Sequence, residues 1–584
     1  MLKKQALSIV LCLCMLLGFT CEAKQAVAAT PTTAEGTELL WKAKFSDPYF
    51  MGTSMISTPV VTEDAVYVVN KDALYALDPA TGKTVWELDL GRRMDSICDP
   101  ILVENHLYIP LMEGVIKCVD INDQKIEWVS NNSYYEIDDH QTLGRLAYHD
   151  GYLYAGTWKG LSSDPTRRSE GYYFCVSAAD GTVQWCINGK KNLGGSSTLR
   201  YTIDGNVNET AGFYWTEPVF IDNYILFTSE DGYLYCLNTN YDKLGFNNYR
   251  GIIIKIQTDE EAEQEDEEQE DPKPIPDSKL FRCGLSKAET KNCNCICAIN
   301  KGGTVYRIQY NDISDTNLEH AFKITQKYDL FPEIENRAKI NCTCTPVFHD
   351  GGFCFSAYAN GKGYLVFMED RSVVFGGIGY LETSINGPLQ SKLLFTNAMD
   401  LNGNKNEILF FTANEKTGSL YTTVSPIQSD APVIKLFTPD KSDQNYCISK
   451  VVAGPDGTLY YSNDSGTLFA IGQKSEIPGA TLPPPAVTVV PTETVVKKPS
   501  QVKYKKSTKK ITITWKKAKG AKTQVYLKQK NKKWKKLATT SGKSYKINRK
   551  KHSGKTIYFR LRSVKKVSGK YVYSDYTKSK TIKA

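Results

Sequence analysis

Four stretches of the sequence place ligating or reactive side chains close together. Asp400-Leu401-Asn402-Gly403-Asn404-Lys405-Asn406-Glu407 carries oxygen side chains at Asp400, Asn402 and Asn404 and closes on Glu407. Hard cations want clustered oxygen ligands of this kind, so the segment reads either as a weak Ca²⁺ loop or as a plain polar hairpin. Cys293, Cys295 and Cys297 alternate, as do Cys342 and Cys344. Spacing of two puts them on one face of a strand. Zinc sites use cysteines two to four residues apart on turns, so apolar packing or partial pairing is expected rather than a metal cluster. Asp259 to Asp271 holds ten acids in thirteen residues; it reads as a solvated insert, with a cation site or a docking strip for the basic tail as alternatives. From Lys497 to the end, 31 Lys and Arg face one acid, Asp575, while the rest of the chain has 41 basic and 63 acidic residues. The overall charge of +8 therefore hides two bodies of opposite sign.

Several chemistries are absent. The chain has no G-x-S-x-G, H-E-x-x-H or P-loop motif. Six histidines in 584 residues argue against a His-rich metalloenzyme. Paired carboxylates stay open, because Asp and Glu are numerous.

The elements that must carry these groups are strands. A turn residue, then Gly, then an alternating aromatic and aliphatic strand recurs eight times, at Ala73, Gly114, Gly171, Gly232, Gly303, Gly363, Gly418 and Gly466, spaced 41 to 71 residues apart. Regular self-similarity of this length marks a repeat architecture. Four copies are preceded by X-Pro-apolar, at Thr58-Pro59, Asp99-Pro100, Glu217-Pro218 and Thr345-Pro346, where proline opens a strand at little cost. A second apolar strand follows, Gly supplies the positive φ of the hairpin, and a turn then leads to a Trp at Trp86, Trp128 and Trp185. Four antiparallel strands per unit, arranged radially, give an all-β propeller over residues 36–472, with eight blades expected and seven as the alternative. The last copy lacks its fourth strand. Glu38-Leu39-Leu40-Trp41-Lys42 has the missing pattern and is expected to complete that blade, covering the edge it exposes.

These units resemble the PQQ-type, quinoprotein-like β-propeller repeat, also found in envelope assembly lipoproteins of the BamB kind. The resemblance implies that Trp41, Trp86, Trp128 and Trp185 dock each blade on its neighbour. PQQ dehydrogenases with this repeat use a vicinal Cys-Cys ring, a catalytic Asp and a Ca²⁺ cluster; no two cysteines are adjacent here. Neither PQQ nor another cofactor is therefore expected, with Ca²⁺ left open, and the chain reads as non-catalytic. A divergent quinoprotein, a carbohydrate-active propeller enzyme and a BamB-like scaffold are the alternatives.

The ends add an address and an attachment. Lys3 and Lys4 precede an apolar run from Ala6 to Phe19, and small residues follow at Ala26 to Ala29, the order of a secretory signal spanning residues 1–29. No later segment is apolar enough to cross a bilayer. Residues 473–499, with Pro483-Pro484-Pro485, read as an extended linker. Residues 500–584 alternate as strands separated by Gly520, Gly542, Gly554 and Gly569. They resemble a fibronectin type III domain, which implies a sandwich core containing Trp515 and Tyr558. Its charge would attract polyanions. Export makes nucleic acid an unsuitable target, and anionic cell-wall polymers or glycans are the expected partners of a secreted, surface-held protein, with protein partners also open.

Overall fold

A computed structural model of the 584-residue chain describes residues 30–45, 56–94, 99–131, 138–160, 169–188, 212–230, 232–239, 251–255, 276–288, 294–314, 317–371, 375–399, 405–425, 427–474, 498–529, 534–567, 570–574, 576–577 and 580–583. Residues 1–29, expected from the sequence to be a secretory signal, the whole acidic run 259–271 and most of the linker lie outside these residues. The chain divides into two compact units, Met1–Val487 and Thr488–Ala584.

The described residues of the first unit form seven four-stranded sheets and one of five strands, met one after another along the chain, with a small two-stranded sheet, Lys159–Gly160 and Ser169–Glu170, beside the third. The first runs through Val60–Val61, Val66–Asn70, Ala73–Leu77 and Thr84–Asp89; the second extends from Ile101–Val103 to Lys125–Val129. The third, fourth and fifth sheets begin at Ala147–His149, Val219–Ile221 and Ser286–Lys287, and the sixth, seventh and eighth include Val347–His349, Leu394–Met399 and Val452–Ala453 as first core strands. The hairpins between second and third strands turn on the recurring glycines. Gly114, Gly232, Gly303, Gly418 and Gly466 all have φ between 58° and 89°, a region that costs other residues strain. Gly171 is required for a different reason: a Cβ there would lie 2.1 Å from the Thr157 carbonyl oxygen.

Apolar clusters join each sheet to the next. Tyr67 and Leu74 of the first pack with Leu107 and Val119 of the second, and Tyr108 of the second with Leu153 and Phe174 of the third. Further clusters join the third to the fourth, the fourth to the fifth, and the fifth through the seventh, and the seventh joins the eighth. Finally, Tyr460 and Leu468 of the eighth pack on Val66 and Val68 of the first. The succession returns to its start, and the unit is a closed β-propeller.

Closure is made by the chain's first described strand. Thr37–Lys44 pairs antiparallel with Thr467–Gln473, from Thr37 opposite Gln473 to Lys44 opposite Thr467. It supplies the fourth strand of the eighth sheet, as its sequence pattern predicts.

The second unit is two facing sheets. Ser500–Lys506, Lys510–Lys516 and Ser544–Asn548 form one; Lys535–Thr540, Lys522–Gln529, Thr556–Val567 and Lys570–Tyr573 form the other, with Lys580–Lys583 also paired to Thr556–Val567. Ile511, Ile513 and Trp515 meet Val525, Phe559 and Leu561 in its core. Among the described residues no helix is long and apolar enough to cross a membrane.

Candidate functional sites

Each sheet of the propeller has one residue that precedes its first core strand by two positions. These are Thr58, Asp99, Arg145, Glu217, Gly284, Thr345, Lys392 and Lys450. Four of them are the X of the X-Pro signal, and the structure brings five of the eight into one charged cluster. Arg145 donates to Asp99 at 2.6 Å and lies 3.9 Å from Glu217. Lys450 donates to Asp99 at 2.7 Å, and Lys392 to Glu217 at 2.6 Å. The eighth and second sheets are not neighbours in the ring, nor are the fourth and seventh, so these contacts are made across its axis. Gly284 leaves room for them, since a Cβ there would meet the Glu217 Cβ at 2.2 Å.

Burial governs the charges. Desolvation alone would raise the Asp99 carboxyl, but Lys450 and Arg145 outweigh it and hold Asp99 far below the usual carboxylate range. Glu217 is lowered in the same way, against its own burial, by Lys392 and Arg145. Three cations and two carboxylates interlock, and taking one away leaves a charge with little solvent to receive it. Two residues before these positions, Leu143 and Trp215 form a buried apolar group against which Ile448 packs. Trp215 sits at φ 53°, an unusual conformation for a bulky side chain, with its amide donating to the Leu143 carbonyl at 3.1 Å. Leu143, Trp215 and Ile448 come from the third, fourth and eighth sheets, so this apolar group also spans the axis beside the charges.

A third buried carboxylate stands thirteen residues after Glu217. Glu230 is fully buried and accepts from Trp158 Nε1 at 2.8 Å, from Ser169 Oγ and from Arg282 Nε. The Arg282 guanidinium lies 4.6 Å from the centre of the Tyr214 ring. Every oxygen of Glu230 is thus committed to a protein donor, which makes it a bracket between strands rather than a free acid or base.

The tryptophans singled out in the sequence lie between sheets. Trp41 covers Gly82 of the first sheet, where a Cβ would fall 2.3 Å from the indole, and donates to the Pro79 carbonyl at 2.7 Å. Trp128 covers Gly181 of the third sheet in the same manner. Trp86 packs with the second sheet and Trp185, buried, with the fourth. Of the oxygen-rich loop, Asp400, Asn402 and Asn404 lie outside the described residues. Glu407 is in the strand Lys405–Thr412, opposite Asn397. Cys295, Cys297, Cys342 and Cys344 are buried in one apolar core with Cys283 and Cys354, and burial pushes the Cys342 thiol up to about 12. Among the described residues the group with metal-ligand spacing is His106, Cys118 and Glu127, whose ligand atoms lie within 4.8 Å of one another. Burial raises the Cys118 thiol to about 12, so it does not supply a thiolate readily.

In the second unit Trp515 is buried and its Nε1 donates to Thr523 Oγ1 at 3.0 Å. Tyr558 departs from expectation. Ile557, Phe559 and Leu561 are the core residues of that strand, and strict alternation puts Tyr558 on the outer face. There it joins a ladder of cations and rings. Lys528 Nζ lies 5.6 Å from Tyr558 and 5.1 Å from Trp534; Arg560 lies 4.4 Å from Trp534 and 3.7 Å from Tyr576; Arg562 lies 4.9 Å from Tyr576 and 5.5 Å from Tyr526.

Known proteins share parts of this pattern. A family model described as outer membrane protein assembly factor BamB matches residues 24–202. Among solved structures, BamB from Moraxella catarrhalis is similar at 7% identity and a TM-score of 0.42, over 75% of this chain and 99% of that one. A quinohemoprotein alcohol dehydrogenase from Comamonas testosteroni is similar at 12% identity and a TM-score of 0.48, over 76% of this chain and 78% of that one. No curated protein matches the sequence. Likeness at this level carries nothing about ligands; the propeller stands on its strand pairing and its closed ring of clusters.

The chain lacks adjacent cysteines, and at the axis Asp99 Oδ1, Arg145 Nε and Glu217 Oε2 are buried without a hydrogen-bond partner.

Proposed function

We propose that this is a secreted, non-catalytic binding protein of the cell envelope, in which the propeller is a rigid platform for a ligand or protein partner and the basic unit anchors it to anionic polymers. The observation that carries this reading is the uncompensated charge of the second unit. Lys503, Lys505, Lys506, Lys509, Lys510, Lys516 and many more are exposed, and the one acid after Lys497, Asp575, lies outside the described residues. A surface whose cations so far outnumber its acids draws polyanions and releases them as salt rises. The three-strand and five-strand sheets, with Trp515 between them, support a fibronectin type III-like reading of this unit. In the propeller, the interlocked axial charges and the fully bonded Glu230 support architecture over catalysis.

The test is retention of the full chain on anionic cell-wall polymer. Binding is expected in low salt and to weaken by at least about tenfold between ~0.05 and ~0.3 M salt, by analogy with other polyanion contacts. Failure to bind in low salt would remove the anchor.

A further inference from the structure

We propose that His106, Cys118 and Glu127 form a binding site for one zinc ion, held through imidazole, thiolate and carboxylate, with water in the fourth position.

The three side chains come from three successive strands of the second sheet, His106–Pro110, Ile116–Asp120 and Lys125–Val129. Cys118 lies directly opposite Tyr108 on one side and Trp128 on the other. His106, two residues before Tyr108, shares its face of the sheet. Glu127 reaches that face through a bulge. The register passes from Cys118 opposite Trp128 to Val119 opposite Ile126, so Glu127 is the extra residue of its strand, and a bulge re-aims the side chain it carries. His106 Nε2 lies 3.0 Å from Glu127 Oε2, and the ligand atoms of all three residues lie within 4.8 Å of one another. Zinc holds such ligands at about 2.0 to 2.3 Å, so closing on an ion takes shifts of about 1 Å from the half-exposed His106 and Glu127.

Neighbouring sheets show that the fold does not demand these residues. The same bulge recurs in the first and third sheets, with Val85 and Gln184 as the extra residue. The corresponding sets are Ala65, Ala76 and Val85, and Tyr152, Cys175 and Gln184. Of these three sheets, only the second combines nitrogen, sulfur and carboxylate ligands.

The donor set selects the ion. Ca²⁺ and Mg²⁺ take oxygen ligands, whereas thiolate with imidazole suits Zn²⁺. One thiolate and one carboxylate cancel the charge of a dication, and a neutral complex suits Cys118, which is fully buried in an apolar cluster with Tyr108 and Leu153. The thiol keeps its proton while the site is free; the entering ion displaces that proton to solvent and then holds the sulfur ionised. Asp120, opposite His106, is committed elsewhere. Its carboxylate accepts from the amides of Asn122 and Asp123 and from Asn105 Nδ2, which leaves the fourth position to water. A bound ion would tie the outermost strand, Lys125–Val129, to the two inside it.

The test is titration of the full chain with Co²⁺, a spectroscopic substitute for zinc, after chelator treatment under reducing conditions. A sulfur-to-cobalt charge-transfer band and the strong visible bands of a four-coordinate ion are expected at one ion per chain, and Zn²⁺ should abolish them. Cys118→Ser should remove the charge-transfer band. His106→Ala and Glu127→Gln, at half-exposed positions, should each weaken Co²⁺ binding at least about tenfold. Zn²⁺ should raise the melting temperature of the unaltered chain, because it binds the folded state, and raise that of these two variants less. A missing charge-transfer band, or one that survives Cys118→Ser, would overturn the site, as would binding within about threefold of the unaltered chain in both His106→Ala and Glu127→Gln. Where Cys118→Ser does not fold, the His106 and Glu127 variants decide.

Discussion

Removal of residues 39–45 is expected to leave a protein that melts well below the full chain or does not fold. The strand Thr37–Lys44 is the outermost member of the eighth sheet, and without it Thr467–Gln473 becomes an open edge ready to pair with another chain. Trp41 alone carries much of the effect. Its indole is 7% exposed, fills the space over Gly82 and donates to Pro79 of the first sheet. Trp41→Ala should therefore cost about 3–5 kcal/mol, as for other buried tryptophans. Circular dichroism melts and gel filtration would read both variants. Unchanged melting of the truncated chain would show that the ring closes by other means.

The second large effect is expected at the axis. Arg145 is bonded to Asp99 and close to Glu217, with its side chain 9% exposed. Arg145→Met keeps the bulk and removes the guanidinium, leaving one lysine on each carboxylate, Lys450 on Asp99 and Lys392 on Glu217. A loss of about 1–3 kcal/mol is expected for a charged hydrogen bond removed from a buried carboxylate that keeps another partner. Urea unfolding at neutral pH measures it, and a loss under about 1 kcal/mol would mean the cluster is solvated and weak. Acid should act on the unaltered protein in the same sense. The depressed carboxyls of Asp99 and Glu217 contribute stability above the unfolded carboxylate range, and this is lost as pH falls through their lowered folded values. His140 acts earlier. Burial lowers it from 6.5 to about 4, so the unfolded chain takes up its proton first and stability begins to fall below about pH 6.5. In Arg145→Met the carboxylate step should shrink and the His140 step remain.

Much of the architecture was legible because it is local. The turn glycines located the hairpins, and the closing strand could be recognised from a missing partner at the other end of the chain. The axial cluster was legible only in part. Pro100 and Pro218 marked the places of Asp99 and Glu217, but nothing comparable marks Arg145, Lys392 or Lys450. A repeat pattern gives a residue's place within its own sheet. It does not say which sheets reach each other across a ring, and Lys450 meets Asp99 over a separation of 351 residues. Tyr558 was misplaced for the opposite reason. In a strand of continuous large residues, Tyr558-Phe559-Arg560-Leu561, a one-residue change of register exchanges the two faces, and composition does not choose between them. The flanking Ile557, fully buried, decides it.

The seam in the ring has a mechanical consequence. Lys474 donates from its amide to the Gly36 carbonyl at 2.8 Å and from Nζ to the Glu35 carbonyl at 2.7 Å, so the chain enters and leaves the propeller side by side. Tension applied beyond Lys474 is delivered first to the strand Thr467–Gln473, which is held on both sides, by Thr37–Lys44 and by Leu459–Asn463.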